Sequence, residues 1–185
     1  FAVSAIAAGL MAALAWRTQA QTQTVTYGWE NEGTLLSSSG NVADVMNVIG
    51  PRTGSNGAAG TLDCPGACEG ERYLQVAEQP HGDTPQAYLA YVEQLNEGDV
   101  VDASFFGFDV SSGYPSLRIW GHWALNGIVN SHDGSADGNE TFTVDSGWNE
   151  VGHRWTVPAG KEALVIEARM YSMPAEGDYR TDYFI

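Results

Sequence analysis

Arg118, Trp120 and His122, together with Glu167, Arg169 and Tyr171, are the side-chain types that hold sugars. Aromatic rings stack on the apolar faces of pyranoses, and planar groups with paired donors or acceptors fix the hydroxyls around them. A spacing of two places each set on one face of a strand. In residues 116–124 (SLRIWGHWA) the opposite face carries Leu117, Ile119, Gly121 and Trp123. In residues 163–171 (ALVIEARMY) it carries Leu164, Ile166, Ala168 and Met170. If the two strands lie in one sheet, their polar faces make one polar–aromatic surface. A second reading of the same residues is a cross-strand ion network of Glu167, Arg169 and Arg118, with Trp120 packed against a loop.

The same groups admit a catalytic reading. In a polysaccharide lyase built on a concave sheet face, Arg118 would neutralise a uronate carboxylate, and His122 or Tyr171 would take the C5 proton. The usual lyase phrases, Gln-Ile-His and Tyr-x-Lys-x-Gly-x-Tyr, are absent. A glycosidase needs two facing carboxylates, and Glu167 has no evident partner in the sequence. Neither a Gly-x-Ser-x-Gly elbow nor a phosphate loop occurs.

The elements that must position these groups are short strands. Period-two alternation and turn clusters predict strands at 24–29, 72–78, 86–93, 100–110, 117–125, 140–144, 149–157, 163–172 and from 181 onward. Residues 34–37 extend an edge, and 41–49 read as either a strand or a short helix. Residues 50–71, rich in Gly, Pro and Ser, read as a long surface loop. Eight to ten short strands at this spacing argue for a sandwich or jelly roll. The expected core comprises Leu74, Val76, Leu89, Ala103, Phe105, Leu117, Ile119, Leu164, Ile166 and Met170, with Trp123 and Trp155. Tyr114, Trp148 and Tyr179 read as loop or rim residues. The acidic stretch 133–140 reads as a solvated turn.

The chain has 185 residues, which suits one domain with a real core. Its formal net charge of −15, with a single lysine at position 161, repels nucleic acid and anionic membrane surfaces. Residues 1–20 open with FAVSAIAAGLMAALA and read as a secretory signal peptide lacking its charged start, cleaved after Ala20; a membrane anchor or assembly helix is the other reading. The apolar run is shorter than the ~20 residues of a spanning helix. The last residues, 181–185, read as the opening of a strand, so the expectation is a fragment of a longer exported polypeptide. In such a compartment Cys64 and Cys68, flanking a Pro-Gly turn, are expected to form a local disulfide.

The order of these signals resembles the galactose-binding-like jelly rolls, among them many carbohydrate-binding modules attached to secreted bacterial hydrolases. The resemblance spans residues 24–185. It rests on Trp29-Glu-Asn-Glu-Gly33, on EGDVVDASF from Glu97 to Phe105, on LVIEAR from Leu164 to Arg169, and on DYFI from Asp182. It implies an all-β antiparallel jelly-roll sandwich after a leader, and a structural calcium ion with Glu30 among its ligands. The expected function is non-catalytic binding of a polysaccharide or glycan by a secreted or cell-surface protein, through Arg118, Trp120, His122, Glu167, Arg169 and Tyr171. A catalytic domain is expected on the same chain beyond Ile185. A lyase, or a structural or adhesive surface module, is the alternative.

Overall fold

The alternating segments form two five-stranded sheets in the computed structural model, which describes residues 22–26, 28–57, 60–109, 116–139, 147–171 and 178–185. The strands in chain order are β1 (Ser37–Ser39), β2 (Val42–Ile49), β3 (Arg52–Ser55), β4 (Thr61–Cys64), β5 (Arg72–Glu78) and β6 (Gln86–Glu93). They continue with β7 (Val100–Asp109), β8 (Ser116–Ala124), β9 (Ser135–Gly138), β10 (Gly147–Thr156), β11 (Ala163–Tyr171) and β12 (Thr181–Phe184). The first sheet has the order β1-β6-β11-β8-β9 and the second β10-β7-β12-β5-β2. Every pairing between these strands is antiparallel.

The inner faces of the two sheets share one interior. Leu117, Ala168 and Met170 of the first sheet cluster with Leu74, Val76 and Tyr183 of the second. Ile119, Trp123, Leu164 and Ile166 cluster with Val151 and Trp155. Ile119 and Ile166 are both buried, so the parity read from the sequence is the parity of the fold. Leu89, Ala103 and Phe105 are half-buried and pack against these clusters.

Some expected elements differ. Residues 24–26 carry no regular structure, and Trp29–Asn31 is a 3-10 turn closed by Glu32 in the left-handed region, φ 61°. That turn tucks Trp29 against the core instead of extending it along a strand. Residues 42–49 are a strand, with a register shift between Ala43 and Met46 where Asp44 has φ 43°. The expected loop at 50–71 contains the β3–β4 hairpin, which lies on the outside of the second sheet. There Leu62 and Cys64 join Val48, Tyr73, Phe108 and Phe184 in a further apolar cluster. Trp148, expected at a rim, packs on this cluster and donates from Nε1 to the Gly66 carbonyl at 2.9 Å. β9 occupies the expected acidic turn, and Asp133 there accepts from Lys161 Nζ at 2.9 Å. The leader at 1–20, the strand at 140–144 and Tyr114 lie outside the described residues. Among the described residues no helix is long and apolar enough to cross a membrane.

Candidate functional site

β8 and β11 are neighbours in one sheet. Their register sets Arg118 opposite Arg169, Trp120 opposite Glu167 and His122 opposite Val165, with Tyr171 opposite Ser116. All six residues singled out in the sequence therefore lie on the outer face of the first sheet. Two guanidinium groups directly opposite one another repel. Here both sit on one indole: Arg118 Cζ is 4.4 Å, and Arg169 Cζ 4.7 Å, from the centre of the Trp120 ring. Arg118 also lies 4.7 Å from the Tyr171 ring centre and donates from Nη2 to the Tyr171 hydroxyl at 2.6 Å. The Glu167 carboxylate takes the remaining charge. Its Oε2 accepts from Arg169 Nε at 2.9 Å, and its Oε1 lies 2.5 Å from His122 Nδ1.

This face is not wet, contrary to what polar residues on an outward parity suggest. Glu167 is fully buried, His122 is 2% exposed and Trp120 is 9% exposed. Three features close it. A bulge opposite Ile166/Glu167 places Leu89 between two register pairs, so Tyr88 and Tyr91, three residues apart, both face outward. Tyr88 then stacks 5.1 Å from the His122 ring, and His132 covers the same imidazole at 5.4 Å. Burial, with the Glu167 carboxylate beside it, pushes the Tyr88 phenol up from its ordinary pKa. Finally, β9 runs against Trp120 at Gly138, where a Cβ would meet the Ile119 carbonyl at 2.4 Å and Trp120 Cα at 2.6 Å. Trp120 Nε1 donates to Ser135 Oγ at 3.2 Å.

Burial divides the six residues in two. Trp120, His122 and Glu167 form a packed layer, with little indole surface left for a sugar. Arg118, Arg169 and Tyr171 are half-buried at the end of the face toward Ser116. The lyase reading needs Arg118 beside either His122 or Tyr171. Tyr171 stands opposite Ser116, so six residues of β8, about 20 Å of strand, separate it from His122. His122 is also covered and engaged by Glu167. Of the two candidate bases, Tyr171 is the one that stands beside Arg118.

Tyr88, Tyr91, His132 and Ser135 belong to this face and were not among the residues singled out in the sequence. The Gln86–Glu93 segment (QAYLAYVE) spaces its tyrosines by three, which reads as opposite faces without the bulge.

Glu30 is engaged elsewhere. Its Oε1 accepts the N–H groups of Glu71 and Arg72 at 2.8 and 2.9 Å, which pins the 3-10 turn to the start of β5. These bonds hold its pKa below the ordinary glutamate range. Gly70, φ 71°, passes so close that a Cβ there would lie 2.2 Å from Oε1. Calcium takes about six to eight oxygens, and among the described residues no group of three or more His, Cys, Asp or Glu converges.

The expected disulfide is not formed: Cys64 and Cys68 are free thiols. The alternation of β4 turns Leu62 and Cys64 inward, and Cys64 Sγ donates to the Gly66 carbonyl at 3.4 Å. Cys68 stands exposed in the following turn. Burial pushes the Cys64 thiol up from its ordinary pKa.

No protein-family model, no curated protein and no solved structure matches the chain.

Proposed function

We propose that this chain is a non-catalytic carbohydrate-binding domain of jelly-roll topology, belonging to a secreted protein. Its ligand is a polysaccharide or glycan held at the open end of the first sheet's outer face by Arg118, Arg169 and Tyr171. Trp120, His122 and Glu167 lie beneath as the layer that orients them. The observation that supports this reading is the pair of guanidinium groups facing each other across two strands, both resting on one buried indole. Their planes are pre-set, so little side-chain entropy is lost when they engage sugar hydroxyls or a sugar carboxylate.

A glycan array, followed by calorimetric titration with the best polysaccharide, tests it. Arg169→Ala and Tyr171→Phe should each weaken binding, the arginine variant by about 2 kcal/mol or more if it is an anchor. Circular dichroism should report a folded domain in both. Absence of binding to any glycan, or full affinity in both variants, would sink the proposal.

The second reading is a structural or adhesive module, favoured by the complete burial of Glu167 between His122 and Arg169. In that case the network serves only to hold the sheet, and the same variants lose stability without any binding to lose.

A further inference from the structure

β7 has two edges in very different states. One pairs with β10 over ten residues, from Val100 opposite Thr156 to Asp109 opposite Gly147. The other meets β12 at one pair, Phe108 with Phe184. Next to it, Ile185 exchanges N–H and C=O bonds of 2.9 Å with Leu74 of β5. Among the described residues no strand pairs with this second edge between Val100 and Gly107. The strand is interior to its sheet by order, yet among the described residues most of one edge has no partner strand.

The side chains around that edge are correspondingly open. Val101, Ala103 and Phe105 point inward but are only half-buried, while Ile119, Leu164 and Ile166 across the core are buried. On the outer side Phe106 is 38% and Val100 57% exposed. Backbone donors and acceptors flanked by apolar side chains are a template for strand addition.

We propose that the Val100–Gly107 edge of β7 receives one further antiparallel strand, collinear with β12 and apolar at every second residue. The occupant follows from the register. Phe184 opposite Phe108 sets Ile185 opposite Gly107, and Ile185 points into the core. Of the positions running on past Ile185, the first falls opposite Phe106 and points outward. The second, fourth and sixth fall opposite Phe105, Ala103 and Val101 and point inward, where apolar side chains complete the interior. The first, third and fifth fall opposite Phe106, Ser104 and Asp102 and tolerate polar residues.

The test extends the 185-residue chain after Ile185 with Thr-Val-Thr-Val-Thr-Val, and separately with the phase-swapped Val-Thr-Val-Thr-Val-Thr. Hydrogen exchange of the β7 amides and the melting temperature are measured for both and for the unextended chain. The in-phase extension should slow exchange of the Asp102, Ser104 and Phe106 amides, which face the open edge, about ten-fold or more and raise the melting temperature; the swapped one should do neither. The in-phase hexapeptide added in trans at high concentration gives the same exchange readout if the fused chain folds poorly. Equal effects of both phases, or no effect of either, would overturn the proposal. So would protection of the Asp102, Ser104 and Phe106 amides in the unextended chain. A dimer of the unextended chain by light scattering, with these amides protected, would assign the edge to a second copy instead of a collinear strand.

Discussion

The outer faces of the two sheets are each closed to water over part of their area, by opposite chemistry. On the first sheet the closure is polar. Glu167 sits between His122 and Arg169, two arginines lie on Trp120, and Tyr88 and His132 cover His122. On the second sheet it is apolar. The β3–β4 hairpin lays Leu62 and Cys64 over Tyr73, Phe108 and Phe184. That hairpin also makes polar contacts with the chain at β12: the Ser55 N–H donates to Asp182 Oδ2 at 2.6 Å and the Gly57 N–H to the Arg180 carbonyl at 2.8 Å, and Arg180 chelates the same buried carboxylate. Parity thus decides which side of a sheet a residue occupies, while the segments lying over that side decide whether it is wet. The two closures also fail differently. Removing one member of a buried ionic set leaves another charge uncompensated, whereas removing an apolar lid residue leaves a cavity.

The largest expected effect is at the polar closure. Glu167→Ala should destabilise by about 3–5 kcal/mol, because His122 and Arg169 lose their shared carboxylate in a dry site. Denaturant melts read this directly, and a loss under about 1 kcal/mol would mean that the face is solvated after all. Trp120→Ala should fall in a similar range of about 3–5 kcal/mol, since the indole is a packed support. A small stability loss with a large binding loss would instead restore it as a sugar platform.

Leu62→Ala tests the apolar closure and should cost about 2–5 kcal/mol. The loss should be accompanied by faster exchange of β3 and β4 amides and quenching changes at Trp148. If exchange in the hairpin stays unchanged, the hairpin is held by its polar contacts with β12 and not by its apolar side.

A thiol-labelling experiment sharpens the comparison without a mutation. In the native chain iodoacetamide should modify Cys68 before Cys64, which reacts only after unfolding, because Cys68 is exposed and Cys64 is 1% exposed, while both thiols are disfavoured from ionising. Resistance of both until a reductant is added would reveal a bridge between them.

The smallest effect lies at Glu30, outside both closures. Its folded pKa is depressed by the two backbone N–H bonds, so its contribution is present above the unfolded glutamate value of about 4.3 and fades as pH falls through the lower folded value. Glu30→Gln should therefore narrow the gap between melting temperatures at pH 7 and pH 3. An unchanged gap would show that the carboxylate charge contributes nothing at this turn.

Much of the frame was legible because alternation is a local property. β5 and β6 occupy the spans read from the sequence, and β8 and β11 keep the parity assigned to them. The β3–β4 hairpin was not legible, since RTGS and TLDC carry too few β-formers to stand out in a Gly- and Pro-rich stretch. Their pairing is stabilised by contact with Phe108 and Phe184, more than forty residues away. The bulge at Leu89 escaped for a related reason. It exists because β11 pairs past it, and the spacing of Tyr88 and Tyr91 has meaning only once that partner is known. Of the candidate site, the shared face of six residues was readable and its dryness was not.

The sequence by itself determined that this is a chain of half-buried strands, and that Arg118, Trp120, His122, Glu167, Arg169 and Tyr171 lie on the strand sides opposite the core. Both follow from the two-residue period of an extended backbone. The tertiary structure decided that β8 and β11 are neighbours, that two arginines share one indole, and that Glu167 is buried. It decided too that Cys64 points into a cluster instead of toward Cys68. Those outcomes depend on which distant segments lie over a face, and therefore on dielectric, covering side chains and register, none of which is a property of any short stretch of chain.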